Sequence, residues 1–430
     1  MKTQLRMLIL VTAATVPATS SPAQGVQKLT LQEAEQTAIQ NHPRIQAAMN
    51  LASAAKAQVT EARSTYYPTV YGSLTGADAE SNSRIAAGAL NNPIIFDRYS
   101  NGVTVSQLVT DFGRTHELVK SSNLHAQAQQ ESVLATRADV LLQVDQSYFA
   151  TLKAQAVLAV AQETVKARQL AAEQVIELAK NKIKSELDVN FANVNLAQAQ
   201  LLLIQAQNDL QSSFARLSAA LGYSDQRTFQ LTDEPLPAAP PLDVSILIQQ
   251  ALKDRPELIG QRLTVGSAQS YATAERDLKL PTISALGAAG LTPYNETSLA
   301  PRYAAAGFNV NIPIFNGHLY GALQSEATSR AQAENQYLRD LQNQIVRDVQ
   351  TAWLNANSAF QRLSVTERLL NEANQALDLA QSRYSLGLSS IIELSQAELN
   401  QTEARIAQAS AAYDYEAQYS FLNYQLGALR

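Results

Sequence analysis

The 430-residue chain contains no cysteine, only four histidines and one tryptophan, and just 17% charged residues. Lacking cysteine, it has no disulfide, thiolate metal site, cysteine nucleophile or acylated N-terminal cysteine. The histidines offer little for a metal. His116 and His125, nine residues apart, would leave a helix on opposite faces, while His42 and His318 stand beside a proline and a glycine. Glycine-rich phosphate loops, HExxH and GxSxG are missing, so no cofactor, metal or catalytic constellation is expected. A net charge of −5 leaves no electrostatic footprint for nucleic acid. Beyond the first two dozen residues no window approaches the roughly 20 apolar residues of a membrane helix. Any crossing of a bilayer must therefore use strands.

The start of the chain carries an address. Lys2 and Arg6 flank a short apolar run from Met7 to Val16, followed by small residues and Ser21-Pro22-Ala23. This reads as a secretory signal over residues 1–23, the other reading being a buried first helix.

The remainder contains itself twice. Ala38, His42-Pro43 and Ile45 recur 213 positions later as Ala251, Arg255-Pro256 and Leu258, and Tyr67-Pro68 returns as Leu280-Pro281. Farther on the offset is 205: Tyr148 with Trp353, Ser185 with Ser390, Leu217 with Leu422, Gly222 with Gly427. The expected organisation is a first copy over 24–232, a proline-rich linker over 233–242 and a second copy over 243–430.

Each copy reads as helix, strand, strand, helix, helix. The helices fall near 31–66, 113–183 and 187–221, then near 243–279, 318–385 and 391–426. Val189, Leu196, Leu203, Leu210 and Leu217 recur every seven residues, with Ala192, Ala199, Ala206 and Ser213 three positions after the first four. That repeat implies a left-handed coiled coil. A helix spanning 113–183 would be about 105 Å long, and the shorter helices would stack end to end beside it in a slender rod.

Between the first and second helices of each copy, apolar and polar residues alternate. Examples are Val70 and Leu74 among threonines and serines, Val103 and Val105, and Phe308, Val310, Ile312 and Ile314 among asparagines. This is the pattern of barrel strands in a membrane, although a small soluble sandwich capping a coiled coil would share it. Segments 75–101 and 288–305 read as exterior loops. Four strands cannot close a barrel, and an open edge cannot persist in lipid, so several copies must share one wall. Two copies would fill their own interior; three leave a passage. Tyr66, Tyr67, Tyr71 and Tyr99 suit the aromatic girdle of such a wall.

The motifs Leu29-Thr30-Leu31-Gln32-Glu33-Ala34 with Asn41-His42-Pro43, Ala62 to Pro68, Pro313-Ile314-Phe315-Asn316-Gly317, and Tyr384 to Leu394 resemble the TolC family of outer-membrane efflux and secretion channels. The resemblance covers essentially the whole mature chain. It implies a mainly α fold with membrane β: a homotrimeric, twelve-stranded β-barrel in outer-membrane lipid, continued by a periplasmic α-helical coiled-coil barrel. It implies no enzyme activity. The partners would be a periplasmic adaptor and an inner-membrane pump or ABC transporter, for which the channel passively conducts small molecules or proteins outward.

The resemblance also assigns roles at the two helix–helix turns. Lys182, Ile183, Lys184 and Ser185 in the first turn, and Leu386, Gly387, Leu388 and Ser389 in the second, would meet the adaptor; plain hairpin turns are the alternative. The first turn lacks glycine, so its grip should differ. Tyr384, Glu393 and Asp188 would belong to the aperture. Ser389 stands where the family prototype has a basic partner, and Gln396 where it has an acid, so the latch should be weaker or built differently. Glu393 is equally compatible with a solvated helix face. The competing function is a coiled-coil scaffold or stalk at the cell surface without channel activity.

Overall fold

The structure is a computed structural model and describes residues 27–80, 96–295 and 300–429. The signal segment 1–23 and parts of the expected exterior loops, 81–95 and 296–299, lie outside them.

The element order repeats. The first run is β1 (Gln27–Leu29), α1 (Leu31–Asn41), α2 (Pro43–Ser64), β2 (Thr69–Ala77), β3 (Arg98–Thr110), α3 (Arg114–Lys180) and α4 (Glu186–Ala220), followed by β4 (Phe229–Leu231). The second is α5 (Val244–Asp254), α6 (Pro256–Arg276), β5 (Thr282–Asn295), β6 (Arg302–Asn311), α7 (Leu319–Ser385) and α8 (Ile391–Gln425). The long helices α3 and α7 have 67 residues each, about 100 Å of rise. Residues 232–243, which include the expected linker, form neither helix nor strand. They are pinned from outside, where Tyr415 Oη donates to Ala238 O at 2.5 Å and Trp353 Nε1 to Pro241 O at 2.7 Å.

Three expectations need correction. The first helix of each copy is two helices. Thr30 and Glu33 close a capping box on α1, but His42 is extended (φ −72°, ψ 121°) and becomes the N-cap of α2, whose first residue is Pro43. Arg255 and Pro256 repeat this break between α5 and α6. Proline pushes the residue before it out of the helical region yet suits the first position of a new helix. The second correction concerns the loops: strands occupy 98–101, 288–295 and 302–305, so less of 75–101 and 288–305 is loop. Third, β1 and β4 were not expected. They pair in parallel, and the fully buried Tyr148 sits beneath them. Its Oη lies 2.7 Å from Thr232 O and 2.9 Å from Leu29 O, and accepts from Thr232 N.

Each helix break rests on a helix end. Gly222 (φ +84°) and Gly427 (φ +71°) close α4 and α8 in Schellman motifs. A Cβ on Gly222 would lie 3.0 Å from Asn41 C and O; one on Gly427 would lie 3.0 Å from Asp254 O. Glycine is needed there both for its dihedral and for the close backbone approach.

The sheet runs β2-β3-β5-β6, antiparallel throughout. Register keeps like faces together: Thr69, Tyr71 and Ser73 oppose Ser106, Thr104 and Gly102, while Val70 opposes Val105 and Ile283 opposes Val310. One face is thus mostly apolar, with exposed side chains such as Leu74 (75%) and Phe308 (78%), and the other mostly polar, although Tyr71 and Leu286 also lie on it. Among the described residues nothing pairs with the outer edges of β2 and β6. Among the described residues no helix is long and apolar enough to cross a membrane.

In the coiled coil the small partners are the buried ones. Ala192, Ala199, Ala206 and Ser213 are buried, while Val189, Leu196, Leu203 and Leu210 are half-buried around them. Where α1, α3 and α8 meet, the interior is acidic. Burial, opposed by a hydrogen bond from Ser420 and reinforced by Glu35, pushes the Asp145 carboxyl up to about 7. Burial, then Asp233 and Glu234, do the same to Glu416, also to about 7.

Two predictions follow from these packing features. Gly222→Ala should destabilise the protein by roughly 2 kcal/mol or more, because left-handed strain and a backbone clash add. Gly387→Ala, also at positive φ but in open space, should cost about 1 kcal/mol; thermal unfolding in detergent separates the two. For the acids, the folded state holds protons more tightly than the unfolded chain. Stability therefore falls as pH rises from the ordinary carboxylate range through about 7. The melting temperature should be lower at pH 8 than at pH 6, and Asp145→Asn should reduce that difference.

Candidate functional site: the helical tip

The end of the molecule away from the sheet is formed by two helix–helix turns, α3 to α4 and α7 to α8. Both use one backbone solution. Gly387 (φ +75°) follows α7, with Gly387 N donating to Tyr384 O (3.1 Å) and Leu388 N to Arg383 O (2.8 Å). In the first turn Lys182 takes the glycine's place at φ +61°, with Lys182 N on Ala179 O (2.9 Å) and Ile183 N on Leu178 O (2.9 Å). The missing glycine therefore changes the strain and the side chains, not the turn. Ile183, Leu386 and Leu388 stand 66%, 73% and 67% exposed.

Ser185 and Ser390 then cap α4 and α8. Asp188 completes a capping box, taking Ser185 N (2.9 Å) and Ser185 Oγ (2.6 Å) on Oδ2. Its other oxygen accepts from Tyr384 Oη at 3.0 Å, joining the two copies. Lys184 closes the group: its Nζ donates to Tyr384 O (3.2 Å) and lies 3.4 Å from the Tyr384 ring centroid, a cation–π contact. Burial pushes the Asp188 carboxyl up, but the hydrogen bonds from Ser185 and Tyr384 and the charge of Lys184 outweigh it and hold it below its ordinary value. Burial and then Asp188 push the Tyr384 hydroxyl well up. Behind it Tyr384 packs with Ala380, Ile391 and Leu394.

Of the residues expected at the aperture, the structure brings Tyr384 and Asp188 together and leaves the others apart from them. Glu393 pairs with Arg383 of its own hairpin at 3.2 Å. Gln396 donates to Asn400 one turn along (2.9 Å). The Ser389 hydroxyl is buried with no hydrogen-bond partner among the described residues. The cation beside Tyr384 and Asp188 is Lys184, a residue expected only at the adaptor tip. Sequence reading also missed a second group two turns deeper. Arg168 Nη1 pairs with Glu398 Oε1 at 2.6 Å, and Asn195 Nδ2 donates to Glu398 Oε2 at 3.0 Å. No spacing signal marks this group, because its members come from three helices.

The sequence pattern of a family described as outer membrane efflux protein matches residues 34–223 and again 247–428. The chain belongs to the outer membrane efflux protein family. It is 21% identical over 340 residues to outer membrane protein TolC of Escherichia coli, covering 74% of this chain and 69% of that protein. TolC of Vibrio cholerae is 24% identical over 413 residues, 93% of this chain and 91% of that one. Among solved structures, CusC superposes with a TM-score of 0.79 at 22% identity, over 92% of both chains. The Campylobacter jejuni CmeC outer membrane channel gives 0.80 at 16% identity, over 93% of this chain and 85% of that one. This efflux protein is therefore an outer-membrane protein and not an enzyme, and its helical length belongs to a periplasmic tunnel.

Lys182→Gly should relieve left-handed strain of ~1–2 kcal/mol while adding ~0.5–1 kcal/mol of unfolded-state entropy, a net gain of about 0.5 kcal/mol. Amide hydrogen exchange over residues 178–190 should slow roughly twofold.

Proposed function

We propose that three copies of this chain form the exit duct of a tripartite efflux pump or type I secretion system. The observation that carries the proposal is the four-stranded sheet, apolar on one face, polar on the other and unpaired along β2 and β6. In lipid each edge must be paired. Joining β6 of one copy to β2 of the next makes a twelve-stranded barrel whose polar face lines water. A second feature supports it: α4 exposes Leu187, Val194 and Leu201, and α8 exposes Ile392 and Leu399, each seven residues apart. Such stripes are buried by neighbouring helices in a coiled-coil wall.

The tip supplies the aperture. Lys184, Asp188 and Tyr384 tie the turns of the two copies, while Glu393, paired with the half-exposed Arg383, faces the passage and favours cations. Ile183, Leu386 and Leu388 offer apolar knobs to a periplasmic adaptor, behind which an inner-membrane pump or ABC transporter supplies the energy. The relatives include a cobalt-zinc-cadmium resistance protein and TolC, so cargo in this reading is chosen by the pump.

Detergent-purified protein in planar bilayers should give stable conductance steps; a detergent-independent, silent protein would mark a surface stalk. Tyr384→Phe should raise conductance by untying the latch. Glu393→Gln should lower cation selectivity and block by divalent cations, and unchanged behaviour would remove Glu393 from the passage.

A further inference from the structure

Residues 232–243, between the two copies, are fastened along their length by side chains from both. Tyr148 of α3 places its hydroxyl 2.7 Å from Thr232 O. From α8, Tyr413 Oη donates to Asp233 Oδ1 at 2.9 Å and Tyr415 Oη to Ala238 O. From α7, Trp353 Nε1 donates to Pro241 O. Glu234 Oε1 accepts from Leu31 N, at the start of α1, at 3.3 Å. Prolines at 235, 237, 240 and 241 take away backbone donors, so the segment forms no ladder of its own. It lies on the helices as a strap, with Pro240 buried beneath it.

Under the strap is the acidic interior. Asp145 of α3 and Glu416 of α8 are only 2% and 4% exposed. Ser420 Oγ donates to Asp145 Oδ2, while Asp145 Oδ1 and Glu416 Oε2 meet no hydrogen-bond partner among the described residues. Glu35 of α1 stands against Asp145, and Asp233 and Glu234 of the strap stand against Glu416. Around this group are Glu33 of α1, Arg137 and Tyr148 of α3, and Tyr413 of α8. Of these only Arg137 is cationic. Carboxyls buried this closely cannot all be ionised, and a neutral one neither repels its neighbours nor needs water.

We propose that the strap is held down by protons: with Asp145 and Glu416 neutral it lies on α3 and α8, and as they ionise it lifts while the helices beneath stay packed. The repelling charge is on the strap itself, at Asp233 and Glu234, so the strap yields first. The sign follows from where the protons are held. Both carboxyls bind a proton more tightly under the strap than in water, so closing weakens as pH rises from the ordinary carboxylate range to about 7 and no further. Each carboxyl contributes a factor of up to about ten per pH unit. The strap belongs to one chain and works the same whether or not three chains form the duct.

The natural absence of cysteine lets a single Pro240→Cys report on the strap's underside. Its alkylation by N-ethylmaleimide is followed from pH 5 to pH 8.5 in the full-length, detergent-extracted protein. Each rate is divided by that of the same protein denatured at the same pH, which removes the thiol's own ionisation. The ratio should rise about tenfold or more between pH 5 and pH 7.5 and then level off. With Asp145→Asn and Glu416→Gln added, it should stay low and flat. Ala380→Cys, buried at the tip, should give a ratio independent of pH. In the unsubstituted chain, acrylamide quenching of Trp353, its single tryptophan, should increase over the same pH range. The proposal is overturned if the Pro240→Cys ratio is low and flat, if the neutral variant keeps the rise, or if Ala380→Cys rises in parallel, which would mean general unfolding. If Pro240→Cys is labelled fast at every pH, Trp353 decides, and quenching that does not change with pH overturns the proposal.

Discussion

A backbone amide or carbonyl in hydrocarbon must find a partner within protein, and β2 and β6 leave two full rows without one. The rest of the molecule is arranged around that requirement. The sheet is too narrow to close on itself, its faces are already sorted into apolar and polar, and its register keeps them sorted. The helices beneath expose apolar stripes at seven-residue spacing. Sheet and helices each present half of an interface, and in the proposed trimer one symmetry operation would satisfy both.

The duplication makes this economical but not uniform. The two long helices are equal in length, and both tip turns share the Schellman geometry, although one uses lysine at positive φ. Charge is distributed differently. Polar pairs line the contact of α3 with α8, where the two copies of one chain meet, and the residues at the 205-residue offset from them do not form opposite-charge pairs. Duplication has thus left the two copies alike in backbone and different in charge.

Much of this was legible before any coordinates. Helix spans, strand alternation and the 205-residue offset came from periodicity and from pairs such as Ser185 and Ser390, since those signals are local. His42-Pro43 was visible but read as part of one long helix; proline at a first helical position looks the same as proline inside one until the preceding dihedral is known. Three-residue strands such as β1 and β4 are too short to show a period. At the tip, the family motifs named Tyr384 and Asp188 but gave no sign that Lys184 stands against them, because its contact with Tyr384 joins residues 200 positions apart. Arg168, Asn195 and Glu398 gave no signal for the same reason: a buried charge is marked by its neighbours in space, not along the chain.

The central claim is that three chains share one wall, and native mass spectrometry of the detergent-extracted protein tests it most directly. The account requires a single species of three chains that persists on dilution and dissociates only with denaturation. A stable population of single chains, or an assembly of two, would contradict it.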